Sequence, residues 1–299
     1  MQNLRKRTDK QHGFTLVELM VVVAIFFFII AAVFDAYLSQ YHASVIQERV
    51  SETQQNARIA MDFLSKEIRM AGFAMPATVV NGFSNAITPA INNDATSGNN
   101  VLDGTDQITV ITGYRQISTL ASAANQGATT ITINGNGNNF DTDKKKYVCI
   151  DAATSEDNYE VTGATSNSLT LSPGLTRNYE QGAVVLMVKA ITYSINDAWA
   201  LTRNENTGGG AQTLVPNIED LQFAYQLADG TWSNAPATPG DIRAVRINVL
   251  ARTQREDQDW KRSRNGRRPA IEDHAAAGAT DGFRRRLLTS VVQIRNLGF

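Results

Sequence analysis

The alternation of apolar and polar positions first marks out a long apolar segment near the N-terminus. Between residues 14 and 34 only Thr15 and Glu18 are polar, which predicts an apolar helix. At 1.5 Å per residue this run spans about 30 Å, which matches the hydrocarbon core of one bilayer. The pattern therefore predicts a single membrane-spanning helix.

Beyond residue 34 the apolar positions thin to a stripe that recurs every three or four residues. No proline interrupts residues 14–71, and Gly72 followed by Pro76 is a typical helix end. We therefore predict one helix over residues 14–72, whose second half lays its stripe against a globular head. The stripe consists of Phe34, Leu38, Tyr41, Val45, Ala57, Ala60, Leu64, Ile68 and Ala71.

From residue 82 onward short β-branched runs alternate with clusters of glycine, asparagine, aspartate and serine, which is typical of strands and turns. The chain is thus predicted to be α+β, with the long N-terminal helix packed on a β-rich head over residues 73–299. A β-module of about residues 119–188 is a candidate insertion in that head. Strands are predicted at residues 107–112, 129–133, 147–150, 158–161, 168–171, 184–195, 221–226, 242–252 and 287–295. Alternation over residues 245–249 predicts one buried and one solvent-facing side.

Charge sets the expected orientation of the apolar helix. The leader before it carries Arg5, Lys6, Arg7 and Lys10, with Asp9 as its one acid. By the positive-inside rule the leader stays in the cytoplasm and the rest of the chain is exported. We therefore expect an inner-membrane protein with one span and its C-terminus in the periplasm.

Two residues at the start of the apolar run do not fit an ordinary signal peptide. The small residue Gly13 precedes the run instead of following it, so cleavage there would leave the helix on the mature protein. Glu18 lies inside the run, where a lone ionised carboxylate costs several kcal/mol by most estimates. Glu18 therefore needs a partner, such as an amine that meets it inside an assembly.

Gly13, Phe14, Thr15, Leu16 and Glu18 together resemble the cleavage and methylation motif of type IV pilins and pseudopilins. The resemblance implies that a prepilin peptidase removes residues 1–13 by cutting between Gly13 and Phe14, and that the new Phe14 amine is methylated. It further implies that Glu18 pairs with the N-terminal amine of a neighbouring subunit during assembly. A plain signal anchor whose flanking residues agree by chance is the alternative.

A second resemblance concerns the type of pilin. Residues 57–73 resemble the end of the long helix in PilW-type minor pilins and the related GspJ-type pseudopilins, and residues 215–225, 242–252 and 291–296 support this. The resemblance is weak across the middle of the chain. It implies a pilin-like head and a minor pilin that helps to initiate or cap a type IV pilus, with other minor pilins and the major pilin as partners. Such a subunit would move from the inner membrane into the extracellular pilus.

Two departures from major pilins favour a minor subunit. Asp35 stands where many major pilins carry a helix-kinking proline. Cys149 is the one cysteine, so the internal disulfide with which many major pilins close a C-terminal loop cannot form. Two rivals stay open, namely a GspJ-type pseudopilin of a type II secretion system and a membrane-anchored periplasmic binding protein or enzyme.

Composition and motifs predict no catalytic centre, cofactor or metal. The net charge is -1, and the three histidines, at positions 12, 42 and 274, are far apart in sequence. Four aspartates could offer oxygen ligands to calcium, but their spacing matches no recognised loop, and nucleic acid is not expected as a partner. These aspartates are Asp103, Asp106, Asp141 and Asp143.

A late basic cluster has several interpretations. Around Trp260 it could bind phosphates, form a solvated hairpin or dock another minor pilin, and Arg284, Arg285 and Arg286 are expected to be edge charges. The cluster comprises Arg252, Arg255, Lys261, Arg262, Arg264, Arg267 and Arg268.

Overall fold

The computed structural model describes residues 15–74, 79–135, 137, 146–151, 158–263 and 266–296. The chain divides into two compact units, Met1–Val50 and Ser51–Phe299. The long helix α1, Leu16–Met70, contributes to both. It contains neither proline nor glycine, which explains why its backbone hydrogen bonds run without a break.

In the first unit, the described part of α1 exposes its apolar side chains. Phe26, Phe27 and Phe28 are 61%, 68% and 79% exposed. By length and composition this segment can cross a membrane, and none of its most apolar stretch is buried within the protein. Its apolar surface therefore has the properties of a lipid-facing helix.

In the second unit, residues 51–70 of α1 pack on the head through the predicted stripe. Ala57, Ala60, Leu64 and Ile68 are fully buried, as is Ala71 just beyond the helix. The helix ends at Met70, and Gly72 follows with a φ of 78°, a left-handed conformation that glycine adopts without strain. The predicted packing is confirmed for the part of the stripe from Ala57 onward, whereas Phe34, Leu38 and Tyr41 of the same stripe are exposed.

The described residues form thirteen strands in two antiparallel sheets, so the predicted α+β class with a β-rich head is confirmed. A nine-stranded sheet has the order β1-β2-β7-β4-β5-β6-β3, with the β8–β9 hairpin paired to β7, and a four-stranded sheet has the order β11-β10-β12-β13. The strands are β1 Ile87–Ile91, β2 Gln107–Thr119, β3 Thr130–Thr132, β4 Lys146–Ile150, β5 Asn158–Ala164, β6 Ser168–Ser172, β7 Val184–Asn196, β8 Ala200–Asn204, β9 Ala211–Pro216, β10 Ile218–Leu227, β11 Trp232–Ser233, β12 Ile242–Arg252 and β13 Arg285–Gln293. A short helix, α2, spans Gln258–Arg262.

The head contains more than one apolar core. The largest joins the stripe of α1 to the inner faces of both sheets, with Phe223, Tyr225 and Ile247 among its buried side chains. A second core collects residues between Ile117 and Val185, including Leu120, Tyr159 and Leu169. The inserted module of about residues 119–188 stays a prediction, and the described residues of this range contribute most of the second core.

Four strands escaped prediction because local signals for them are weak. Pro89 lies inside β1 and Pro216 ends β9, β8 has five residues, and β11 has two. These four segments are strands because they pair with neighbouring strands of the sheets. β8, for example, pairs with β7 on one side and β9 on the other.

The face of the four-stranded sheet that was predicted to be solvent-facing, on which Asn248 lies, is largely buried. Asn248 on β12 is only 4% exposed, and its neighbour Gln222 on β10 is fully buried. The long connection between β12 and β13 covers both. Its Glu272 accepts a hydrogen bond from Asn248 at 2.8 Å and two hydrogen bonds from the Arg246 guanidinium. The prediction of a wet face was wrong because a distant loop supplies the polar partners.

The stripe of α1 yields a test of the packing. Leu64→Ala should lower the free energy of unfolding of the head by about 2–5 kcal/mol, since it opens a cavity at a fully buried site. Phe63→Ala is the matched control, because Phe63 is 42% exposed and its loss should cost no more than about 1 kcal/mol. Urea unfolding followed by tryptophan fluorescence measures both. Equal effects of the two variants would contradict the packing.

Candidate functional site

The N-terminus of α1 is closed by a reciprocal pair of hydrogen bonds between Thr15 and Glu18. The Thr15 backbone N–H donates to Glu18 Oε2 at 2.8 Å, and the Glu18 N–H donates to Thr15 Oγ1 at 3.2 Å. The Thr15 hydroxyl also donates to Oε2, at 2.9 Å. This is a capping box, in which side chains satisfy amides that the first helical turn leaves without partners.

The capping box was not predicted, although its signal is present in the sequence. A threonine followed three residues later by glutamate, directly before an apolar run, is the signature of such a cap. Glu18 thus has a partner within its own chain. Both bonds from the Thr15 side end on Oε2, and no described residue donates to Oε1. One carboxylate oxygen is therefore available for a further partner.

The structure describes only part of the proposed processing site. Gly13 and Phe14 are outside the described residues, so cleavage between them stays a prediction. Beyond Glu18, α1 exposes Leu19, Val22 and Phe26 at helical spacing, each at least 60% exposed. The start of α1 is thus a capped helix end with one carboxylate at the head of an exposed apolar surface.

Most described members of the basic cluster near Trp260 are engaged within the head. Arg284 stacks on the Trp260 ring at 4.4 Å, and Arg267 donates to a backbone carbonyl. Such pairing favours a structural role over a free cationic surface for phosphates, while Arg264 lies outside the described residues. The remaining pairs are Lys261 with Glu256, Arg262 with Asp259, Arg268 with Asp220, and Arg252 with the rings of Trp199 and Phe283.

Two of the three arginines at the start of the last strand, which are predicted to be edge charges, are held in ion pairs with carboxylates of the head. Arg285 is only 8% exposed at its side chain and is clasped by two carboxylates, and Arg284 binds a third. Burial of these side chains needs such partners, because an unpaired buried charge is strongly destabilising. The pairs are Arg285 with Glu219 and Asp281, and Arg284 with Asp257.

The structure joins residues that are far apart in sequence around the buried carboxylate of Asp220. His274 Nδ1 lies 2.9 Å from Asp220 Oδ2, Arg268 contacts the same oxygen at 3.1 Å, and Gln222 donates to Oδ1 at 2.8 Å. Asp220 and His274 are separated by 54 positions, and no local motif signals their contact. The arrangement fastens the β12–β13 connection to β10.

Asp106, one of the four calcium candidates, links the two sheets instead. Its Oδ1 accepts the Asn93 N–H at 2.8 Å and its Oδ2 accepts the Phe223 N–H at 2.7 Å, so backbone amides occupy both oxygens. Burial, together with the nearby carboxylates, raises the pKa of Asp106 to about 7. Asp103 is exposed, and Asp141 and Asp143 lie outside the described residues. Within the described ranges, no three His, Cys, Asp or Glu side chains form a group suited to a metal ion.

Comparisons with known proteins bear on both ends of the chain. Residues 8–34 match the prokaryotic N-terminal methylation motif, and residues 178–296 match the family of type IV pilus-assembly protein W. Both matches support a type IV minor pilin family. This confirms the family predicted from the sequence. The motif implies processing by prepilin peptidase and pilus-type assembly, and the apolar helix suggests anchoring in the inner membrane.

The other comparisons add less about the chain. A type IV-like pilin from Thermus thermophilus shares 13% sequence identity and a TM-score of 0.37, over 84% of this chain and 97% of that one. At that level the likeness does not bear on function. No curated protein sequence matches the chain.

The buried Asp106 predicts a specific pH dependence. Its pKa of about 7 in the fold lies above the ordinary 3.8, so the folded state holds a proton that the unfolded chain releases between these values. The associated stability is complete at low pH and is lost as the pH rises to about 7. From pH 7 to pH 5, the free energy of unfolding should therefore rise by about 2 kcal/mol relative to Asp106→Asn. Parallel urea-unfolding curves for the two proteins at both pH values would contradict this assignment.

Proposed function

We propose that this chain is a minor pilin that is cut between Gly13 and Phe14, methylated on Phe14, and built into the complex that initiates or caps a type IV pilus. The observation that carries the proposal is the capped, apolar start of α1 within the methylation motif. An exposed apolar helix of this length needs a bilayer before assembly and other helices after it. The leader stays in the cytoplasm, and the head lies in the periplasm until the subunit enters the pilus.

Glu18 is the proposed assembly residue. Its Oε2 closes the helix cap, and its Oε1, to which no described residue donates, can accept a hydrogen bond from outside the chain. The N-terminal amine of a neighbouring subunit has the charge to meet it, and the pair would remove the cost of a lone carboxylate in hydrocarbon. The cap also orients Glu18 before the neighbour arrives, which reduces the side-chain entropy lost on pairing.

The partners proposed for the head are other minor pilins and the major pilin, and the protein is proposed to have no enzymatic activity. The family is one of structural pilins. Two buried polar groups of the head, Asp220 and Arg285, are each paired with an oppositely charged residue, Arg268 and Glu219 respectively. Such mutual pairing supports a scaffold role. A pseudopilin of a type II secretion system would share the same processing, and deletion of the gene would separate the two by loss of pili or loss of secretion.

Processing is the first test. N-terminal sequencing or mass spectrometry of membrane-purified protein should find methyl-phenylalanine, derived from Phe14, as the first residue. A bulky residue at position 13, as in Gly13→Leu, should block cutting, whereas Gly13→Ala should be partly tolerated. An intact Met1 in cells with active prepilin peptidase would refute the assignment.

The role of Glu18 is the second test, and two variants separate charge from capping. Glu18→Val removes both, whereas Glu18→Gln keeps an oxygen that can accept the Thr15 N–H. If the charge pairs with a neighbour, both variants should be inserted and cleaved but recruited at least about tenfold less into pili, as a lost buried pair implies. Quantitative immunoblotting of sheared pili measures recruitment.

Thr15→Val is the matched control, because it removes the hydroxyl contacts of the cap and keeps the carboxylate. Its recruitment should stay near the wild-type level. Wild-type recruitment of Glu18→Gln would show that Glu18 serves the cap alone.

A further inference from the structure

The strand β13 forms one edge of the four-stranded sheet. β12 is the only described strand that pairs with it, over the full length from Arg285 to Gln293. The backbone groups on its other side therefore have no strand partner among the described residues. A free edge of this kind is a template for an additional strand.

The other sheet edges of the head are protected in ways that β13 is not. β3 has three residues and β11 has two, while β1 contains Pro89 and β9 ends at Pro216. In β13, residues 287–293 have the sequence LLTSVVQ, with no charge, proline or glycine. Protein edges normally carry such interruptions because they prevent unwanted pairing, so the exception at β13 points to a use.

Side-chain exposure along β13 alternates between the two faces of the sheet, and a strand bound at this edge would continue both faces. Val292 is buried in the main core, whereas Leu287 and Val291 are 38% and 54% exposed on the opposite face. Thr289 and Gln293 are exposed on the same face as Leu287 and Val291. Two exposed apolar side chains on an uncharged edge would gain from cross-strand apolar neighbours.

Charge at the two ends of this edge indicates the chemistry of the partner. Arg286 and Arg295 are exposed, and residues 285–296 contain no acidic side chain. A second copy laid antiparallel would bring Arg286 of one chain and Arg295 of the other to the same end, and a parallel copy would set Arg286 beside Arg286. Both arrangements collect like charges without a carboxylate, whereas a strand with acidic ends neutralises them.

We propose that the β13 edge binds an extended segment of a different protein, in which apolar and polar residues alternate between acidic ends. The segment adds a fifth strand to the four-stranded sheet, with backbone hydrogen bonds to β13 and apolar side chains against Leu287 and Val291. The proposal rests on the proposed function only in taking the partner to be another subunit of the filament start.

The test uses the full-length protein in detergent and two synthetic peptides. Both alternate valine and threonine, and one carries glutamates at each end where the other carries lysines. Fluorescence anisotropy should show saturable binding of the glutamate peptide and at least about tenfold weaker binding of the lysine peptide.

Two variants assign the binding to β13. Val291→Lys should weaken binding of the glutamate peptide by about tenfold, because a lysine on an edge strand opposes strand pairing. Thr213→Lys, which adds the same charge at an exposed position of the β9 edge, is the matched control and should bind as the wild type does. Arg286→Glu should reverse the preference between the two peptides. Circular dichroism checks that all three variants keep the fold.

Three results would overturn the proposal. They are equal binding by wild type and Val291→Lys, an unchanged peptide preference in Arg286→Glu, and self-association of the wild type that Val291→Lys abolishes. The last result would assign the edge to a second copy of the chain. Because the measurement needs no cleavage or filament, its failure leaves the results for Gly13 and Glu18 unaffected.

Discussion

The continuity of α1 is the constraint on which the rest of the protein depends. A single helix without proline or glycine carries an apolar surface over residues 19–34 in its first part and a narrow apolar stripe in its last part. The first surface is suited to a lipid bilayer, because a helix satisfies its own backbone polar groups where no water is present. The stripe requires a protein core, and the inner faces of the two sheets supply it. The fold of the head is therefore organised around the last five turns of a helix that begins in another environment.

The two faces of the four-stranded sheet solve different problems. Its inner face buries Phe223 and Ile247 against the helix stripe and is held by the hydrophobic effect. Its outer face buries Asp220, Gln222 and Asn248, and is held by hydrogen bonds and ion pairs to the β12–β13 connection. Loss of an apolar contact on the first face costs packing, whereas loss of a partner on the second leaves a buried charge. The stability of the outer face therefore depends more strongly on each polar group having its own partner.

The sequence was sufficient for features that depend on local period. The apolar run, the stripe from Ala57 to Ala71 and the long β-branched strands each carry a repeat that one segment displays alone. The capping box was equally local, and its Thr15–Glu18 spacing could have been recognised. Strands such as β8 and β11 could not, because their definition lies in the neighbours with which they pair.

Polar burial was the least predictable property of the chain. A charged residue on an alternating strand normally faces water, and only a tertiary contact can reverse this. Asp220 meets His274 and Arg285 meets Glu219 across more than fifty positions. Neither pair has a spacing that a single sequence reveals. The cluster near Trp260 suggested an external ligand in part for the same reason, since Arg268 pairs with Asp220 and Arg252 stacks on Trp199, both distant in the chain.

The clasp on Arg285 has a consequence for the alignment of the final strand. Side chains alternate between the two faces of a strand, so a slip of β13 by one residue would move Arg285 to the other face. Glu219 and Asp281 would then lose their shared cation, and Glu219 is buried. The ion pairs thus act as a register lock that an uncharged stretch such as residues 287–293 cannot provide for itself. The outermost strand of the sheet is held in one alignment from its first residue.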